Sequence, residues 1–171
     1  MDRRSPGRST RLIRHLLAPS VARLFPANCL ERIAAAIANS EQTHSGEICF
    51  AVEPALRSRA VLAGAQARDR ASEVFAQLRV WDTSANNGVL LYLLLADHRI
   101  EIVADRGFDG LVSAEQWRGV CQLVEERLKA GEPEAAVVRG VAAMSTLLVE
   151  HFPRGVEHAD NNELPDRPHL L

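Results

Sequence analysis

Carboxylates, amides and a guanidinium bracket two neighbouring apolar runs. Asp82, Asn86 and Asn87 precede the run Val89 to Ala96, and Asp105 and Arg106 follow the run Arg99 to Ala104. Oxygen-rich side chains of this kind suit a hard cation, since Ca²⁺ takes about six to eight oxygen ligands and Mg²⁺ about one or two carboxylates plus substrate phosphate. With such an ion polarising a phosphoryl oxygen, Asp82 or Asp105 would serve as nucleophile or base and Arg106 would clamp the phosphate. The same residues also have a purely structural reading. Asp and Asn form turns before strands, Gly88 and Gly107 relieve backbone strain, and Arg106 pairs with Asp105 or Asp109 at the surface.

The strands must bring these groups together. Only Asp97 and His98 separate the two runs, which reads as a two-residue hairpin with Ala96 opposite Arg99, Leu90 opposite Asp105 and Gly88 near Gly107. Asn86, Asn87 and Asp82 then approach Asp105 and Arg106. A third run, Ile48 to Val52 between Glu47 and Glu53, is apolar on both faces and predicts a fully buried strand. Joined to the second strand through a helix over 64–79, it should run parallel to it, which brings His44 and Glu47 to the same edge. The expected metal ligands for Ca or Mg are therefore Asp82, Asn86, Asn87, Asp105 and Glu47, and the expected catalytic residues Asp82, Asp105 and Arg106. Ligands of open α/β sheets usually sit beyond the carboxyl ends of the parallel strands, near Glu53 and Asp97-His98, the opposite edge from this cluster. No glycine-rich phosphate loop, G-x-S-x-G or H-E-x-x-H occurs.

Helical periodicity fills the rest. Asn28 with Glu31 resembles a capping box opening a helix over 28–42, with Leu30, Ile33, Ala34 and Ile37 on one stripe. Trp117, Val120, Cys121, Val124 and Leu128 mark a helix after Ser113 that stops before Gly131, and a last helix runs from about Glu132 to Phe152 before Pro153. The order helix, strand, helix, strand, strand, helix, helix predicts an α/β protein: a three-layer α/β/α sandwich whose small mixed sheet carries helices on both faces. The divisions are a basic amphipathic extension over 1–27, one α/β domain over 28–153 and an irregular tail over 154–171.

Charge is unevenly spread. The 20 basic and 22 acidic residues leave a net charge of -2, which gives no general attraction to nucleic acid or to an anionic membrane. Residues 1–25, however, hold Arg3, Arg4, Arg8, Arg11, Arg14 and Arg23 against the single acid Asp2. Arg4, Arg8, Arg11, Arg14 and His15 fall on one side of a short helix, and Leu12, Ile13, Leu16 and Leu17 on the other. Either that helix meets a membrane surface or a protein partner, or it packs its leucines on its own domain and leaves its arginines solvated, or it is a mobile extension. Neither a secretory signal nor a membrane span is legible. Cys29, Cys49 and Cys121 are far apart in apolar surroundings, which suits buried reduced thiols and a cytoplasmic location, peripheral to the inner membrane if the extension touches it.

Three blocks carry a family resemblance: Val80-Trp81-Asp82-Thr83, Asn86-Asn87-Gly88-Val89-Leu90 and Ile102-Val103-Ala104-Asp105-Arg106-Gly107. Over roughly residues 28–168 the chain resembles the TPM-domain family, which includes thylakoid-lumen proteins implicated in photosystem II repair and many bacterial membrane-associated proteins. It is most similar to short proteobacterial members without a signal peptide, where segments like Glu41-x-x-His44-x-Gly46-Glu47-Ile48 and Glu163-Leu164-Pro165-Asp166-Arg167-Pro168 flank the domain. The resemblance implies an α/β/α sandwich. It also implies one of two roles: an interaction or accessory module of membrane complexes, or a weak metal-assisted acid phosphatase acting on phosphomonoesters.

Overall fold

A computed structural model describes residues 7–154 and 162–171. Arg3 and Arg4 of the basic extension lie outside them. The elements follow in the order α1 (Arg8–Leu16), α2 (Val21–Leu24), α3 (Ala27–Glu41), β1 (Glu47–Glu53), α4 (Ser58–Ala63), α5 (Ala67–Gln77), β2 (Gly88–Leu94), β3 (Arg99–Ala104), α6 (Ala114–Lys129), α7 (Pro133–His151) and β4 (His169–Leu170). The sheet has the order β3-β2-β1-β4. β1 runs parallel to β2 and β4, and β3 is antiparallel to β2.

Every residue of β1 and β2 is buried, and alternation sends their side chains to two separate cores. Ile48, Phe50, Val52, Val89, Leu91 and Leu93 meet Ile33 and Ile37 of α3, Val120 and Val124 of α6, and Val141, Met144 and Leu148 of α7. Cys49, Ala51, Leu90, Tyr92 and Leu94 meet Val61 of α4 and Ala71 and Val74 of α5. These are the three layers of the α/β/α sandwich that the apolar runs predict.

Four local readings are corrected. The hairpin pairs Leu94 with Arg99 and Leu90 with Val103, so its turn is Leu95 to His98, with the His98 N–H donating to Leu95 O. The register moves by two residues, which keeps each side chain on its expected face because a strand has a period of two. α3 begins at Ala27 behind Pro26, and Asn28 makes no capping bond, because Pro26 already holds the extended conformation that precedes the helix. The capping box lies instead at Ser113 and Gln116, opening α6. The 64–79 segment is α5 preceded by the short α4, and the tail expected to be irregular supplies β4.

The basic extension also enters the core. Phe25 is buried and packs on Phe50 of β1 with ring centroids 5.9 Å apart, and Val21 is buried with it, so α2 and the residue that caps it contribute these two side chains to the domain's interior.

Candidate functional site

The amino ends of the strands form the edge that the sequence singles out. Asn86 has a left-handed backbone with φ 53°, which asparagine tolerates better than most residues. Asn87 is buried; its N–H donates to Thr83 Oγ1 at 3.0 Å and its Nδ2 to Ser45 O at 2.8 Å, tying the loop before β2 to the start of β1. Gly88 and Gly107 are required by close backbone approach. A Cβ on Gly88 would strike the carbonyl oxygen of Val80, and one on Gly107 would strike that of Asn86. The Gly107 N–H donates to that same Asn86 oxygen at 2.9 Å, which seats the turn after β3 on the loop before β2.

Three of the expected residues meet there. Arg106 Nε donates to Asn86 Oδ1 at 2.9 Å, and the Asp105 carboxylate accepts the Arg106 backbone N–H at 2.8 Å, capping a 3-10 turn over Arg106–Phe108. The other Asp105 oxygen, Oδ2, is buried without a partner. The remaining residues are engaged elsewhere. Asp82 is exposed and pairs with Arg79 at 2.6 Å. Glu47 turns to the C-terminal tail, where its carboxylate accepts the backbone N–H groups of Glu163 and Leu164 at 3.4 and 3.2 Å. His44 Nδ1 lies 2.9 Å from Gly46 O while its buried Nε2 has no partner, and burial lowers its pKa. As arranged, the expected ligands do not form a closed coordination sphere, and among the described residues no group of three or more His, Cys, Asp or Glu is disposed to hold a metal ion.

Two acids at this edge were not singled out as site residues. Glu41 at the end of α3 accepts the Ile48 N–H at 2.8 Å and hydrogen-bonds Asp166 of the tail. Burial pushes its carboxyl up to about 9, with the charges of Glu47 and Asp166 adding to the effect, so it is protonated at neutral pH. Both residues stand in the segments that carry the family resemblance. Their meeting depends on the tail folding back over β1, and no local spacing announces that.

The carboxyl edge holds the more concentrated set of ion pairs. In the hairpin turn Asp97, with a side chain only 8% exposed, takes the Arg11 guanidinium at 2.7 Å, Arg14 at 3.4 Å and His15 Nε2 at 3.2 Å. Burial alone would raise the Asp97 pKa; the Arg11 guanidinium, helped by His15, outweighs it and holds the carboxyl below its ordinary value. Arg11 also donates to Ala65 O at 2.7 Å, and His15 Nδ1 accepts the Leu56 N–H at 3.0 Å. Beside this latch, Glu53 at the end of β1 accepts Tyr92 Oη at 2.7 Å and Arg70 Nε at 2.8 Å, and lines a pocket of about 380 Å³ with Leu56, Arg57, Ala60 and Glu73.

The latch fixes the orientation of α1. The helix docks by Arg11, Arg14 and His15, with Leu12 partly buried against the α4 and α5 core, while Ile13, Leu16 and Leu17 are 55%, 66% and 77% exposed. Its amphipathic face is therefore inverted relative to the expectation that leucines on its own domain leave arginines solvated.

Comparison with known proteins agrees with this architecture. The TPM domain model matches residues 21–147. The NMR structure of the BA42 protein from the psychrophilic bacterium Bizionia argentinensis is 26% identical, with a TM-score of 0.76 over 88% of this chain and 98% of that one. The N-terminal domain of a P. gingivalis protein, at 19% identity and a TM-score of 0.61, shares the fold over 86% of this chain and 93% of its own. A comparison with curated proteins gave no match. With the family match covering most of its length and the same layered fold in solved structures, this chain belongs to the TPM-domain family.

Proposed function

We propose that this TPM-domain chain is an interaction or accessory module of a membrane complex, working at the cytoplasmic face of the inner membrane. One observation carries the reading: α1 is anchored by its basic side and presents Ile13, Leu16 and Leu17 outward as a continuous i, i+3, i+4 stripe. Among the described residues no helix is long and apolar enough to cross a membrane. The test is sedimentation with native bacterial membranes. Wild type should pellet with them, and a Leu16→Glu, Leu17→Glu double variant should stay in the supernatant. Equal pelleting of the two proteins, or none of either, would refute the reading.

A weak phosphomonoesterase is the second reading, favoured by the buried, partnerless Asp105 Oδ2 on the turn from which Arg106 Nε donates to Asn86 Oδ1. Its test is p-nitrophenyl phosphate hydrolysis with and without Ca²⁺ or Mg²⁺. Equal rates for wild type and Asp105→Asn would remove it, and a Ca²⁺ titration without heat would remove the cation.

A further inference from the structure

We infer that the outward face of α1 and the adjoining α4 bind an anionic lipid surface directly, an inference that rests on the membrane-module reading and names its partner. α1 packs against α4. To the exposed Ile13, Leu16 and Leu17 of α1, α4 adds Leu62, itself 53% exposed. Neither helix contains an acidic residue, their sequences being RSTRLIRHL and SRAVLA. Arg11 and Arg14 are held by Asp97, but Arg8, Arg59 and Arg57, which immediately precedes α4, are exposed and have no partner among the described residues. Exposed, unpaired guanidinium groups on the same pair of packed helices as a protruding leucine stripe match the chemistry of a headgroup layer. The leucines enter the boundary between headgroups and acyl chains, and the arginines meet phosphate oxygens. A protein groove would accept the leucines equally well. What favours lipid is the uniform sign of the charge on both helices.

The anchor is modest by design of its size. α1 has nine residues and α4 six, so the binding is reversible and depends on both apolar insertion and charge. Salt therefore weakens it, because exposed charges are screened within about 8 Å at physiological ionic strength.

The experiment is co-sedimentation of the full chain with protein-free vesicles, either phosphatidylcholine alone or phosphatidylcholine mixed equally with phosphatidylglycerol. Wild type should bind the mixed vesicles, release at high salt and ignore phosphatidylcholine alone. Arg8→Gln and Arg59→Gln should each lower partitioning about fivefold, equivalent to ~1 kcal/mol per arginine near an anionic surface. Leu16→Glu, Leu17→Glu should abolish it; both positions are exposed, so the fold is preserved and an unchanged melting temperature verifies that. Equal binding to the two vesicle types, no binding to either, or unaltered binding by the leucine variant overturns the inference. If native membranes capture the protein while protein-free vesicles do not, the lipid inference fails and the membrane-complex reading stands. If native membranes also fail, the reading itself falls.

Discussion

Replacing Asp97 by Asn should release α1 while leaving the sheet intact. Removing one partner of a fully buried ion pair costs about 3–5 kcal/mol, because the other charge is left without compensation. Here the Arg14 side chain is 36% exposed and Arg11 15%, and the new amide retains one oxygen acceptor, so about 2 kcal/mol is the better figure. The loss falls on α1 alone. Amide hydrogen exchange is the assay: N–H groups such as those of Arg11 and Leu17, bonded to Gly7 O and Ile13 O, should exchange about 30-fold faster, while β2 amides keep their protection. The pH dependence has a fixed sign. Asp97 has a folded pKa below its ordinary 3.8, so its contribution is present above that value and disappears as pH falls through the lower, folded one. Wild-type α1 should therefore keep its protection down to about pH 4 and lose it in stronger acid. Unchanged α1 protection in the variant, or an equal loss in α1 and β2, would show that the latch does not hold the helix.

Two further perturbations test the amino edge. Glu41 has a carboxyl raised from 4.5 to about 9, so its contribution is complete below pH 4.5 and is lost as pH rises toward 9. Glu41→Gln, neutral and able to bond both Ile48 N–H and Asp166, should match wild type in urea unfolding near pH 4 and exceed it at pH 8 by on the order of 1 kcal/mol or more; a gap independent of pH would contradict this. Gly88→Ala places a Cβ against the Val80 carbonyl and should lower stability by about 3 kcal/mol, read as a lower urea midpoint, whereas a neutral result would mean that the loop before β2 yields freely.

Legibility in the sequence followed the range of the interactions. β1 and β2 could be read because burial of both faces leaves unbroken apolar runs over residues 48–52 and 89–94. The Ser113 helix could be read because its cap and stripe are local. The hairpin was legible in its pairing and facing, but its turn was two residues too short, since Leu95 and Ala96 are apolar and look like strand although they are already in the turn. At the candidate site, Asn86 near Asp105 and Arg106 followed from strand order alone. The direction in which Glu47 points did not, because it is set by a tail more than a hundred residues away in sequence. The orientation of α1 was illegible for the same reason. A helical wheel shows two faces, and partners distant in sequence, the Asp97 carboxylate with Ala65 O and the Leu56 N–H, decide which of them turns inward.

That orientation has an energetic consequence for binding. Burying a leucine or isoleucine side chain stabilises by about 1.5–3 kcal/mol, so a rotation of α1 that packed Ile13, Leu16 and Leu17 inward would gain several kcal/mol of apolar burial. The fold forgoes this, and Asp97 is the group that opposes the rotation, since turning the helix would strand a nearly buried carboxylate without Arg11, Arg14 and His15. A nine-residue helix is marginal by itself in water, so without the latch α1 either melts or turns its leucines inward. Both outcomes remove the outward stripe. Asp97→Asn should therefore lose sedimentation with membranes, although it retains every exposed leucine and every unpaired arginine of the wild type. Retained binding would mean that the stripe acts without its anchor, and that the inverted docking of α1 serves stability alone.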